Sequence, residues 1–321
     1  MLDLNLPEYD IIQVRNEIDR FGFSYRLAEI CGKLIPPKSH ANWQHGWIWW
    51  NPGTLEEFAY EKHHSDIPTV LSTNKLRDIL KQFGFINVAA GGLPFAYIPP
   101  TNLIKRKDTL LAFLPHSLHY IKENFEDMQF LDYLADIKKD FESVVCSIYY
   151  DDWVNGGLVQ KCKRRGLDVI SGARSDDKNS LLRIRTLLDQ FEYVSSNTMG
   201  SHILYAALSG CKIQIAKPMY SFEHYSKIFK QDYLFQKFPH LLDAYSNAYD
   251  EENLKKWFPF FFVEHPKKAT LNIEWAGEEI GIDNLLQKNE IEKLLGWTFT
   301  TKSKAILRAV KRRVNLFTEK V

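Results

Sequence analysis

The sequence predicts an α/β protein whose C-terminal lobe carries a parallel, doubly wound sheet, and three observations lead there. Between Leu110 and Ile215, short apolar runs alternate with longer stretches of helical spacing, the rhythm of a parallel sheet with helices on both faces. The stretch Phe191 to Gly210, FEYVSSNTMGSHILYAALSG, reads as a strand that ends in small polar residues and opens directly into a helix. At 321 residues the chain exceeds the roughly 250–300 residues at which a single core stops growing, so it can bury one large core or two smaller ones, and two lobes with a central cleft are the default.

Residues 1–104 are assigned to the first lobe. It reads as a helical stretch from Tyr9 to Cys31, a turn at Pro36 and Pro37, and the aromatic segment NWQHGWIWWNPGT. A strand in PTVLST, a helix from Lys75 to Phe83 capped by Asn74, and a strand in NVAAGGLPFAYI follow. Pro99, Pro100 and the charged run Lys105 to Asp108 mark the linker.

The second lobe, residues 105–297, begins with the strand LLAFLPHS. Leu131, Leu134 and Ile137 recur at helical spacing, which predicts a helix over Phe130 to Phe141. SVVCSIYY is a second strand closed by Asp151 and Asp152, Leu158 to Arg165 a short helix, and LDVISGAR a third strand. A helix from Ser180 to Phe191, a short fourth strand from Tyr193 to Ser195 and a fifth in CKIQIA complete the sheet, and beyond Pro218 a helical, aromatic extension returns across the cleft.

Residues 298–321 read as a basic amphipathic helix. In KSKAILRAVKRRVNLF, Ile306, Leu307, Val310 and Val314 share one face, with Lys304, Arg308, Lys311, Arg312 and Arg313 around them. Such a helix rests on an anionic membrane surface or docks on the protein with its basic face in water; the sequence leaves both open.

Composition narrows the partners. Lys+Arg 41 against Asp+Glu 40 gives a net charge of +1, which argues against nucleic acid as partner. Cys31, Cys146, Cys162 and Cys211 form no CxxC pair, so neither a zinc site nor a disulfide framework is predicted. No apolar run approaches the roughly 20 residues needed to cross a bilayer. The expected location is therefore the cytoplasm, at most peripheral to the inner membrane face. Aromatic residues make up 14% of the chain. Trp43, Trp47, Trp49 and Trp50 suit either sugar stacking or a core, whereas Phe258, Phe260, Phe261 and Phe262 read as core.

Open parallel sheets bind ligands outside the carboxyl ends of their strands. The candidates there are Pro115, His116 and Ser117 after the first strand, Tyr150 to Asp152 after the second, and Ser171, Gly172, Ala173 and Arg174 after the third. After the fourth come Ser195, Ser196, Asn197, Gly200, Ser201 and His202. A helix N-terminus holds an anion through unpaired amides and a partial positive charge, without a lysine; an ordinary cap needs only one such polar residue. His116 is placed to hydrogen-bond a nucleotide phosphate and stabilise the growing charge, and Arg174 to grip phosphate bidentately. Transfer to a hydroxyl needs a general base, and His45, among the tryptophans of the other lobe, is the first candidate because its unperturbed pKa suits catalysis near neutrality. Asp10, Glu56 and Asp66 are fallback carboxylates. Asp151 and Asp152 read either as a solvated cap or as a pair for a divalent ion, and the cap is preferred, so no metal site is assigned.

WQHGW, LPHSL, SGARSDDKNSLLR and SSNTMGSHILYAALSG, followed by EIEKLLGW, span roughly residues 43–297 and resemble bacterial glycosyltransferases of surface-polysaccharide assembly, lipopolysaccharide or capsule, with the GT-B architecture. The resemblance implies two Rossmann-like lobes, metal-independent transfer and no resident cofactor. It also implies a nucleotide-sugar donor, CMP- or UDP-linked, and a glycan or lipid-linked acceptor. Sialyl- and Kdo-transferases of related architecture hold CMP with a His-Pro pair and a Ser-Ser/Thr motif. Ser195 and Ser196 match the second, while the first stands reversed as Pro115 and His116. A nucleotide-sugar epimerase or hydrolase on the same scaffold and a non-catalytic glycan-binding assembly protein remain as alternatives. No GxGxxG follows the first strand of either lobe, which argues against an NAD-dependent oxidoreductase.

Overall fold

A computed structural model describes residues 4–60, 62–115, 128–220, 226, 229–301 and 303. The first lobe contains helix α1 (Phe23–Ile30), strands β1 (Asn42–Trp43) and β2 (Thr69–Leu71), helix α2 (Asn74–Gln82) and strand β3 (Val88–Ala90). Its three strands form a parallel sheet in the order β1-β2-β3. The second lobe contains strands β4 (Arg106–Phe113), β5 (Ser143–Ile148), β6 (Asp168–Ser171), β7 (Phe191–Ser196) and β8 (Lys212–Ile215). Between them run α3 (Met128–Ile137), α4 (Tyr150–Asn155), α5 (Gly157–Arg164), α6 (Ser180–Leu188) and α7 (Ser201–Leu208). All five strands are parallel, in the order β6-β5-β4-β7-β8, with Ala112 opposite Cys146 on one side and Ser195 on the other. The predicted two-lobed α/β architecture with a doubly wound second lobe is therefore present.

Strand side chains alternate between faces, and here both faces are buried. Leu111, Val145, Val194, Ile213 and Ile215 point to one core, and Leu110, Ala112, Val144, Cys146, Ile148 and Tyr193 to another under α3 and α5. The first of these cores also contains Phe23, Leu27, Trp43, Val70 and Phe95 from the first lobe. One apolar core thus runs through both lobes, and each lobe keeps a smaller cluster of its own, around Leu71, Leu76 and Leu80 in the first and under α3 and α5 in the second.

Several boundaries differ from the sequence reading. The helix expected from Tyr9 is α-helical only from Phe23, after 3-10 turns over Glu17–Gly22 that are broken by a kink at Arg20 and Phe21. Upstream, the backbone is spent on the other lobe: Ile12 N donates to Asp176 O (2.8 Å), Lys178 N to Asp10 O (2.8 Å) and Phe21 N to Ser175 O (2.7 Å). Gly22 makes the close approach possible, since it has φ +76° and a Cβ there would lie 1.9 Å from the Lys178 carbonyl oxygen. Helix α2 is capped by Thr73, whose hydroxyl accepts from Leu76 N, rather than by Asn74. Arg106, Lys107 and Asp108 belong to β4 rather than to a linker. Asp151 and Asp152 lie in the first turn of α4, and β7 is longer than predicted because α6 stops at Leu188.

The excursion back across the cleft is present. Helices Ile273–Ile280 and Lys288–Leu295 pack on the first lobe, where Leu93 N donates to Ile280 O (2.9 Å), His40 N to Leu295 O (3.0 Å), and Lys33 pairs with Glu292 (2.8 Å). No described helix is long and apolar enough to cross a membrane. The basic C-terminal helix lies, apart from its first residues, outside the described residues.

Candidate functional site

The strand order fixes where a ligand-sized crevice can open. From β4 the chain moves to β5 and β6 on one side, then returns to build β7 and β8 on the other. Connections therefore diverge between β4 and β7, and such a switch point leaves room at the carboxyl ends. Phe113 ends β4 and is followed by Leu114 and half-buried Pro115; Ser196 ends β7 and leads through Asn197–Gly200 into α7. His116 and Ser117 lie outside the described residues.

The polar residues of this junction divide by strand alternation. Ser195 points to one face, where its hydroxyl donates to Gln214 Oε1 (2.9 Å). Ser196 points to the other and ties the two strand ends together. Its hydroxyl donates to Phe113 O (3.0 Å), accepts from Thr198 N (3.2 Å), and lies 3.1 Å from His202 Nε2. With the Ser196 proton directed at Phe113 O, the oxygen is left as an acceptor, which the Nε2–H tautomer of His202 matches. Ser195, Ser196 and Asn197 are fully buried, whereas Gly200, Ser201 and His202 are half-buried. The accessible part of the junction is thus the start of α7, where no side chain caps the helix at Gly200.

The first lobe closes over this point. Trp47 N donates to Ser201 Oγ (2.9 Å), and the Tyr205 hydroxyl donates to His45 O (3.3 Å). His45, read from sequence as a base in the opposite lobe, is therefore on the loop that meets α7. Its side chain is 49% exposed. Desolvation lowers its pKa, Glu17 opposes this, and Arg20 adds to it. The downward shift favours the neutral imidazole, the form able to accept a proton.

The other predicted residues are placed elsewhere. Ser171 ends β6, two strands from β4, and Gly172, Ala173 and Arg174 follow it; this end holds the N-terminal segment, where Tyr9 OH lies 2.5 Å from Ser171 Oγ and donates to Gly172 O (2.9 Å). Arg174 is engaged by Asp176 (2.5 Å) and lies 4.4 Å from the Tyr150 ring centroid. Asp10 pairs with Lys178 (3.4 Å) and Glu56 with His240 (3.6 Å). Among the described residues no cluster of three or more His, Cys, Asp or Glu side chains suits a metal ion.

All four tryptophans of the aromatic segment spend their indole N–H inside the protein. Trp43 donates to Gly92 O, Trp47 to Glu279, Trp49 to Ala248 O and Trp50 to Glu57. Trp47 also packs on Trp49, Phe258 and Trp275. These rings brace the lobes through the returning C-terminal segment. A depression of about 430 Å³ lies away from the switch point, lined by Arg26, Tyr97, Pro99, Pro100, Arg185 and Leu286 among others.

Sequence reading missed Glu17 and Arg20, which face His45 from the 3-10 turn. Their signal was hidden inside what looked like a continuous helix.

No protein-family model matches the chain, and no curated protein matches it. Among solved structures it is similar to a mutant of S. aureus TarM in complex with fondaparinux, α-GlcNAc-glycerol and UDP, with a TM-score of 0.32 and 13% identity. The match covers 84% of this chain and 50% of that one, so the chain spans about half the length of this neighbour. At that TM-score the fold assignment rests on the strand order, not on the likeness.

Proposed function

We propose that the chain is a glycosyltransferase that moves a sugar from a nucleotide donor, CMP- or UDP-linked, to a glycan or lipid-linked acceptor in bacterial surface-polysaccharide assembly. One observation carries the reading: the switch point of a parallel five-stranded sheet lies at the start of α7, which no side chain caps, and the loop bearing a half-exposed histidine meets that helix from the other lobe. Amides and the helix dipole at Gly200–His202 would hold the donor phosphate, and their fixed dipoles would stabilise the leaving group as the sugar bond breaks. His45 would take the proton of the attacking hydroxyl.

Thermal unfolding of the full chain with CMP, UDP, GDP and dTDP, each free and as a sugar conjugate, tests this. A cytidine or uridine nucleotide is expected to raise Tm, and Ser201→Ala to weaken the effect. Indifference to all of them would refute the donor assignment. Sugar release without any acceptor would instead identify a hydrolase.

A further inference from the structure

The loop that carries His45 meets a second pair of charged side chains. Glu17 Oε2 lies 2.8 Å from Arg20 Nε and 4.0 Å from His45 Nδ1. The same oxygen faces both, but only the first distance is a hydrogen bond. All three side chains are open to solvent, at 56% for Glu17, 40% for Arg20 and 49% for His45.

The backbone under this group is bent at a cost. Phe21 has φ +56° and Gly22 φ +76°. A bulky residue in the left-handed region is uncommon and is retained where its surroundings over-determine it. Here the fixing contact comes from the other lobe, through Phe21 N to Ser175 O. The bend sets Arg20 at the lobe boundary, where its charge reaches the Tyr149 hydroxyl across the gap.

We propose that Glu17 is a positioning residue shared between Arg20 and His45. An anionic donor that draws the Arg20 guanidinium to itself frees the Glu17 carboxylate to accept a hydrogen bond from His45 Nδ1. That bond keeps the ring proton on Nδ1, leaves the Nε2 lone pair for the proton of the attacking hydroxyl, and stabilises the imidazolium that forms. No bond is made or broken in the switch itself; one hydrogen bond replaces another. Donor binding and readiness of the base are thereby coupled, and this rests on the donor reading above.

Among the described residues, the groups facing His45 are Glu17 and Arg20 from the 3-10 turn and Tyr205 from α7, whose hydroxyl binds the His45 carbonyl. Tyr60 from the first lobe and Tyr149 from the second are linked electrostatically to Glu17 and Arg20. Among the described residues, the ionic side chains in this set are Glu17 and Arg20, which makes the test specific.

His45 is titrated by NMR in the full chain, free and with UDP or inorganic pyrophosphate as the probe anion. In the free protein Arg20→Ala is expected to raise the His45 midpoint, and Glu17→Gln to lower it, each by roughly half a pH unit for partly exposed neighbours. UDP is expected to raise the midpoint in the wild type but not in Glu17→Gln or Arg20→Ala, while Arg20→Lys retains part of the response. An unchanged midpoint in folded Glu17→Gln overturns the sharing, whatever the nucleotide does. A UDP-induced rise that persists in Glu17→Gln overturns the coupling. Indifference of Tm to UDP and to CMP, GDP and dTDP alike overturns the donor reading and with it the release step, while the free-protein titrations still decide whether the carboxylate is shared.

Discussion

Ser196→Ala and Ser195→Ala, neighbours in sequence, should behave differently because they face opposite sides of β7. Removing the Ser196 hydroxyl leaves the amide of Thr198, a residue only 4% exposed, without this acceptor, and it deprives Phe113 O of a donor. A buried amide left unsatisfied costs about 1–3 kcal/mol, and a net hydrogen bond about 1 kcal/mol. His202 is half-buried and recovers part of its loss through water, so the total expected is about 2–3 kcal/mol. Removing the Ser195 hydroxyl costs one neutral hydrogen bond to Gln214 Oε1, which keeps the Tyr133 hydroxyl at 3.1 Å. The expected loss there is about 1 kcal/mol. Urea unfolding of both variants gives the stability difference, and Tm shifts with UDP report the site. Ser196→Ala should weaken the nucleotide response by loosening His202 and the two strand ends, while Ser195→Ala should leave it intact. Equal stability losses, or equal loss of the nucleotide response, would refute the division of roles.

Gly22→Ala puts a methyl group against the Lys178 carbonyl at a left-handed position, so the contact between the lobes must shift; a loss of about 3 kcal/mol or more is expected in urea unfolding. Asp189 accepts from Thr101 N (2.7 Å) and Thr101 Oγ1 (2.8 Å) and pairs with Arg185, both side chains being under 10% exposed. Asp189→Ala should therefore cost about 3–5 kcal/mol by stranding a buried cation, and adding Arg185→Met should restore part of that in a double-mutant cycle. Burial pushes the Asp19 carboxyl upward, but hydrogen bonds and charge from Arg15 outweigh it and the net shift is downward. Its stabilisation is thus present above the unfolded value of about 4 and is lost as pH falls through the lower folded value. The urea midpoint should drop more steeply below about pH 4 in the wild type than in Asp19→Asn; parallel curves would exclude Asp19 as the cause.

How much of the protein was legible depended on the range of the interactions involved. Strands β4 to β8 were readable because a sheet buried on both faces needs continuous apolar runs between helices of a different period, and both periods are local properties. The start of α7 was readable for the same reason, since small polar residues between a strand and an Ala/Leu-rich helix are a local signal. The segment from Tyr9 to Gly22 was not: its apolar spacing suits a helix, yet Asp10, Ile12 and Phe21 spend their backbone groups on residues 175–178 of the other lobe, a competition that no local pattern reveals. The tryptophans posed the same problem, because a ring that stacks on sugar and a ring that braces two lobes look alike until the acceptor of each indole N–H is known.

The sequence by itself determined the parallel sheet of the second lobe, the strand-to-helix junction at residues 196–201 and the absence of large net charge, all encoded in periodicity and composition. Only the tertiary structure decided the strand order that places the switch point between β4 and β7, the opposite facing of Ser195 and Ser196, and the meeting of Glu17, Arg20 and His45 at the lobe boundary. The physical reason is that strand order and lobe contact arise from burial between residues far apart in the chain. Such pairings carry no fixed spacing that a single sequence can display.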